Sequence, residues 1–225
     1  MIAAGRLRFD PDGAQRFDAA VAEHLPVLFN ALADIPAGQA GVRLRDRSAL
    51  RPLLAPSGAI GGIAASVLGG ASRPVRALLF DKTAATNWSL AWHQDRTIVV
   101  RQRKPADGFG PWTIKDGLQH VAPPFDLLAG MVTMRVHLDP VPIDNAPLLI
   151  APGSHRFGRV TEDRIETVVA ACGETRCTAA AGDVWLYATP ILHGSEVAHR
   201  PSSRRVLQVD FAAREPGGGL GWLGV

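Results

Sequence analysis

The stretch GDVWLYATPILHGSEVAHRPSSRRVLQVDF, residues 182–211, holds two apolar runs with no helical segment between them. DVWLYAT ends at Pro190, a histidine follows in the turn-like LHGS, and a second run opens with Arg204 and Arg205. Short runs rich in Val, Leu and aromatics, bounded by Gly, Pro, Asn and Asp, are the pattern of strands. The same texture extends backwards through PLLIAPG (147–153), MVTMRVHLD (131–139), TIVVRQR (97–103), WSLAWHQD (88–95) and VRALLFD (75–81). Seven short strands with long turns and no regular helices between them predict a sandwich, a barrel or a jelly roll rather than a parallel α/β sheet. One helix is expected among them, EDRIETVVAA (162–171).

Upstream the periodicity changes. Phe17, Val21 and Leu25 recur at helical spacing after Asp10 and Pro11, which predicts a helix kinked at Pro26. Two shorter helices are expected over 48–55 and 59–68. The whole reads as one domain: a helical front (1–74), a β core (75–213) and a glycine-rich tail (214–225), flexible by composition, in which Trp222 is placed to dock. Residues 105–124, PADGFGPWTIKDGLQHVAPP, read as a loop carrying Phe109 and Trp112, and a loop of that length suits a lid over a substrate.

Composition narrows the function. The 225 residues are 47% hydrophobic with a formal charge of +3, and the arginines are scattered rather than gathered into a stripe with interleaved aromatics, which excludes a nucleic-acid partner. No apolar run has the length of a membrane span, and the start MIAAGRLRFDPDG lacks the order of a signal peptide, so a cytoplasmic protein acting on small molecules is expected. Two cysteines, Cys172 and Cys177, are too few for a disulfide framework or a thiolate zinc site.

In AWHQDRT (91–97), His93 and Asp95 stand two apart, so on an extended chain both enter the same space while Gln94 turns away. His193 of LHGS is the natural third partner. Two imidazoles and one carboxylate with open positions form the facial triad of non-haem iron oxygenases, in which the metal must also accept substrate and dioxygen. An oxygenase of this kind needs two further electrons. A bidentate 2-oxo acid supplies them, and its far carboxylate asks for a guanidinium. Arg204 and Arg205 both qualify; alternation groups Arg205 with Leu207, Val209 and Phe211, and Arg204 with Val206, Gln208 and Asp210, without choosing between them.

WHQD, DNAPLLIAPGSHRFG, GDVWLYATPILHGS and the arginine opening the last strand together resemble the phytanoyl-CoA dioxygenase family of Fe(II)- and 2-oxoglutarate-dependent oxygenases, over roughly residues 75–213. The resemblance implies a double-stranded β-helix, or jelly roll, preceded by helices. It implies that His93, Asp95 and His193 bind Fe(II), and that Arg204, eleven residues after His193, binds the 2-oxoglutarate carboxylate together with Ser195. It also implies that O2 is consumed and that succinate and CO2 are released. Asp95 stands where halogenating relatives carry a small residue, so hydroxylation or another oxidation of a small, possibly anionic substrate follows. Asn145-Ala146-Pro147 replaces the Asn-Gly-Pro of many relatives, and alanine resists the positive φ that glycine allows. The rival readings are a catalytically silent jelly-roll protein that binds a metal or small ligand, and a zinc hydrolase.

The remaining candidates take structural roles. His155 belongs to a turn; His137 shares the inward face of its strand with Arg135 and Thr133; His24, His120 and His199 read as surface or loop residues; Trp88, Trp92 and Trp185 read as core. Arg101 and Arg103 share the parity of His93 but lie too far along an unbroken strand to meet it. Lys82, in LLFDK, has no assigned role.

Overall fold

The computed structural model describes residues 6–39 and 41–225; the first five residues, part of the start read above for a leader, lie outside them. Among the described residues there are thirteen strands. They are β1 (Ala14–Phe17), β2 (Val42–Leu44), β3 (Arg73–Lys82), β4 (Leu90–His93), β5 (Ile98–Val100), β6 (Trp112–Lys115), β7 (Leu118–Val121), β8 (Met131–His137), β9 (Leu148–Ile150), β10 (Thr175–Cys177), β11 (Val184–Ala188), β12 (His193–Ser195) and β13 (Arg204–Ala212). Six form a sheet in the order β1-β11-β8-β13-β3-β2, four a second sheet β10-β9-β12-β4, and three a small sheet β5-β7-β6. All pairings are antiparallel and most join strands distant in sequence, so this is the expected jelly roll.

The six-stranded sheet is covered on both faces. Leu207, Val209 and Phe211 of β13 point outward into a core shared with the helical front, α1 (Phe9–Asp12), α2 (Leu25–Ala31), α3 (Arg51–Leu54) and α4 (Gly61–Leu68), where Leu28, Leu54 and Ile60 meet Met134 and Val136. The intervening Arg204, Val206 and Gln208 face a cavity between the two larger sheets. β13 is buried on both faces, with Leu207, Val209 and Phe211 on the helix side and the polar Arg204, Gln208 and Asp210 on the other. Two more helices, α5 (Phe125–Ala129) and α6 (Ile165–Cys172), complete the structure, the second overlapping the predicted 162–171 segment and ending one residue beyond it.

Four expectations require correction. The helix predicted from Asp10 onward breaks after α1 at Gly13, whose φ is +68°, and Ala14–Phe17 becomes an edge strand on β11, because sheet pairing outweighs the local helical spacing. The loop 105–124 contains the hairpin β6–β7, closed by Asp116 and Gly117 with both φ angles positive, a two-residue Asp-Gly turn that the sequence displays openly. His120 is buried at the centre of the small sheet, between Val99 and Thr113, rather than on the surface.

The tail is docked rather than loose. Leu220 and Trp222 are buried against Val100, Val121, Leu127 and Leu128, Trp222 Nε1 donates to the Arg214 carbonyl at 2.8 Å, and Arg101 N donates to the Gly221 carbonyl at 3.0 Å. Among the described residues no helix is long and apolar enough to cross a membrane. Trp222→Ala is expected to cost about 3 kcal/mol of stability through the cavity it leaves, measured as a shift in the denaturant midpoint; an unchanged midpoint contradicts the docking.

Candidate active site

His93 and His193 meet because β4 and β12 are neighbours in register: the two residues are Cα partners, and their rings lie 4.3 Å apart. Close approach of these strands depends on Gly194, where a Cβ would stand 2.9 Å from the Leu90 carbonyl oxygen. Ser154 tightens the same region by accepting from Leu192 N at 2.8 Å. β4 ends at His93, yet the chain stays extended, and Gln94 turns away as expected: its Nε2 donates to Gly158 and Pro190 carbonyls at 2.9 and 2.8 Å, and its Oε1 accepts from Val160 N. Anchored there, Gln94 presents Asp95 on the side of His93.

One donor atom from each of His93, Asp95 and His193 lies within 4.8 Å of the other two. A cation with bonds of about 2.1 Å at right angles sets its ligand atoms about 3 Å apart, so small rotations of these side chains draw the set together around it. Each imidazole carries its proton in a defined place. His93 Nδ1 is 2.8 Å from the Ala91 carbonyl and His193 Nδ1 2.9 Å from the Ile191 carbonyl. A carbonyl only accepts, so Nδ1–H donates and each Nε2 keeps its lone pair free. Burial pushes the His193 imidazole down to about 4, with Asp95 opposing and His93 reinforcing. Burial also opposes ionisation of Asp95, but Arg76, His193 and His93 outweigh it and hold the carboxyl below its ordinary value. Two neutral imidazoles, one carboxylate and no thiolate among the three are the donor chemistry of a divalent iron site with open positions.

Behind Asp95 stands Arg76, a residue the sequence reading missed. Its Nη2 lies 3.3 Å from Asp95 Oδ2, and its Nε donates to Asp210, which also accepts from Thr133 at 3.0 Å. Burial raises the Asp210 carboxyl, with Arg76 only partly offsetting it. The signal was available: Arg76 shares the alternation of Leu78, Phe80 and Lys82 on β3, all of which line the cavity.

The cavity measures about 350 Å³. Arg204 is buried in it, held by the Asn145 carbonyl at 2.7 Å and the Ala146 carbonyl, and Ser195 lines the same space. Ala146 takes a φ of +46°, the conformation glycine would adopt more readily, so the turn that cradles Arg204 survives the replacement. Arg205 points the other way, paired with Asp139 at 2.8 Å and stacked 4.6 Å from the Phe29 ring. Lys82 also enters, donating to the Trp88 carbonyl at 2.9 Å and lying 4.1 Å over its ring, so Trp88 is cavity wall rather than core. Burial, then Arg204 and Arg135, bring Lys82 down to about 8; burial and then Arg135 bring Arg204 to about 10. Among the described residues Lys82, Arg135 and Arg204 have no ion-pair partner, so the cavity carries uncompensated positive charge. His155 packs against Gly13, and Arg101 and Arg103 lie outside the cavity lining. His137 is buried, as the inward alternation of β8 suggested, with neither ring nitrogen hydrogen-bonded to the protein.

Known proteins share this fold. A model of the phytanoyl-CoA dioxygenase family (PhyH) matches residues 67–206. No curated protein sequence matches the chain. Among solved structures, EctD from S. alaskensis with bound Fe is 20% identical, with a TM-score of 0.67 over 96% of this chain and 78% of that one. HygX from Streptomyces hygroscopicus with nickel and 2-oxoglutarate bound is 16% identical, with a TM-score of 0.61 over 91% and 84%. AviO1 from Streptomyces viridochromogenes Tue57 is 18% identical, with a TM-score of 0.59 over 95% of each chain. At these identities the likeness is one of fold.

The buried histidines set a pH dependence. Burial, then Arg135 and Arg204, press His137 down to about 3, burial and then Arg76 bring His120 to about 4, and His193 stands at about 4. All three therefore protonate in the unfolded chain, near 6.5, before they do so in the folded one. Stability of the metal-free protein is full above pH 6.5 and falls as pH drops from 6.5 towards 4, by up to about 4.1 kcal/mol per pH unit for three protons. Chemical denaturation between pH 7 and 4 measures this, and His137→Gln is expected to remove about a third of the slope.

Proposed function

The chain belongs to the phytanoyl-CoA dioxygenase family of Fe(II)- and 2-oxoglutarate-dependent dioxygenases, and we propose that it hydroxylates a small organic substrate using His93, Asp95 and His193 as its iron ligands and Arg204 with Ser195 as its 2-oxoglutarate anchor. One observation carries the reading. Three side chains able to ligate a metal converge beside a buried guanidinium that has no anionic partner among the described residues.

Iron with 2-oxoglutarate and O2 supplies the oxidising power, 2-oxoglutarate leaving as succinate and CO2 while a substrate carbon gains a hydroxyl. The protein contributes position and charge. Free Nε2 lone pairs on both imidazoles face the metal position, and Arg76 keeps the Asp95 carboxylate ionised and aimed at it. Arg204, held by two backbone carbonyls, offers its remaining N–H groups to the distal carboxylate of 2-oxoglutarate, and Ser195 adds a hydroxyl. Binding a dicarboxylate relieves the mutual repulsion of Arg204, Arg135 and Lys82. The walls, Leu78, Phe80, Leu90, Leu148 and Val206, keep water away from the reacting carbon. A cavity of about 350 Å³ shared with the co-substrate suits a small molecule and is too small to enclose an acyl-CoA. Helical front, β core and docked tail serve as a single catalytic domain in this reading.

His93→Ala and Asp95→Ala are each expected to abolish succinate formation from 2-oxoglutarate under air. Arg204→Ala is expected to weaken 2-oxoglutarate binding about 10- to 100-fold, the loss of a charge-assisted bidentate contact, whereas Arg205→Ala leaves it within about twofold because its guanidinium faces Asp139. Succinate release at the normal rate by the Asp95 variant contradicts the assignment.

A further inference from the structure

β2 lies at the edge of the six-stranded sheet, and its register places Arg43 opposite Leu78 on β3. Lys82, on the same face of β3, pairs with Arg204. Four residues at about 3.3 Å each set Arg43 roughly 13 Å along the strand from the Arg204 end. The backbone of 2-oxoglutarate spans four C–C bonds of about 1.5 Å, so a molecule anchored at Arg204 does not extend to Arg43. Arg43 nevertheless lines the same cavity, and so does Lys115, the last residue of β6.

These two cations are under-used within the protein. Arg43 Nη1 is bound to Asp116 at the hairpin tip, but its Nε is buried without a partner, and the Asp116 side chain is 64% exposed. Among the described residues Lys115 has no ion-pair partner. The Asp116 carboxylate shows that Arg43 donates to an anion here, and an acid this exposed is displaced at little cost. Asp95 is held by Arg76, two residues beyond Leu78 on β3 and so about 7 Å further along the strand, and Leu78 and Leu90 line the space around it.

We propose that the substrate carries an anionic group, a carboxylate or a phosphate, that Arg43 and Lys115 hold at the β2 edge of the cavity, away from Arg204. The inference rests on the dioxygenase reading above. In it, Arg204 takes the co-substrate and the β2 edge takes the substrate's anion, about 7 Å along β3 from Arg76 behind Asp95, so the substrate's apolar portion reaches the metal position. The Asp116–Arg43 pair latches the hairpin to β2 until the substrate anion replaces the aspartate.

Anaerobic calorimetric titrations of the Fe(II)-loaded protein test this, with 2-oxoglutarate added first to saturation and then hexanoate, butyl phosphate or hexylamine as probe. Both anions are expected to bind, hexylamine at least about tenfold more weakly. Arg43→Gln and Lys115→Gln should each weaken anion binding about fivefold, the worth of one exposed charge contact, while leaving 2-oxoglutarate binding unchanged. Asp116→Asn should tighten it by a similar factor, a gain that a misfolded variant would not produce. Equal binding of the amine, or anion affinities indifferent to all three substitutions, overturns the proposal alone. Failure of 2-oxoglutarate itself to bind, or its indifference to Arg204→Ala, overturns the dioxygenase site and this inference with it.

Discussion

Arg76 sits inside the sandwich with its side chain mostly removed from water, and its charge is tolerable only because Asp210 and Asp95 receive it from two directions. Asp210 ties it to β13 and, through Thr133, to β8; Asp95 ties it to the segment leaving β4. A buried ion pair of this kind adds little net stability, because desolvation offsets most of the attraction, but removing one member strands the others. Its effect here is directional. It joins the six-stranded sheet to the four-stranded one at the point where the candidate iron ligands converge, and it keeps a carboxylate charged in surroundings that would otherwise protonate it.

Backbone pairing supplies the remaining precision. Register across β12 and β4 brings His193 to His93, and the carbonyls two residues before each histidine orient both rings alike. Asp95 lies beyond the end of β4, so no ladder holds it. Gln94 takes over that task with three hydrogen bonds to the Gly158–Val160 segment and Pro190. Buried side-chain amides satisfied in full rigidify what surrounds them, since any other position leaves a donor or acceptor unpaired.

Charge is distributed along the cavity rather than spread evenly. Arg204 and Lys82 pair at one end of β3, Arg135 and Arg43 stand level with Leu78 further along on opposite sides of it, and Asp95 is held by Arg76 beyond them. The net charge of the whole chain, only +3, conceals this concentration. Positive groups left without partners in a partly buried space make the site receptive to anions before any specific contact forms.

The sequence by itself determined the fold class and most of the site. Period-two apolar runs bounded by turn residues can be buried only as strands, and His-x-Asp on an extended chain must present both side chains to one side. Several features were open to the sequence and went unread, among them the Asp116–Gly117 turn and the inward alternation of Arg76 with Lys82. Others were not there to be read. The parity of Arg204 and Arg205 became meaningful only once helices covered one face of β13 and the cavity formed on the other. Ala14–Phe17 carried a helical spacing yet became a strand because β11 offered it an edge, and the tail became ordered because Trp222 found a pocket behind β5. Local chemistry sets what each residue is able to do; long-range pairing decides which face it occupies and which distant charges it meets, because those partners lie tens of residues away in the chain.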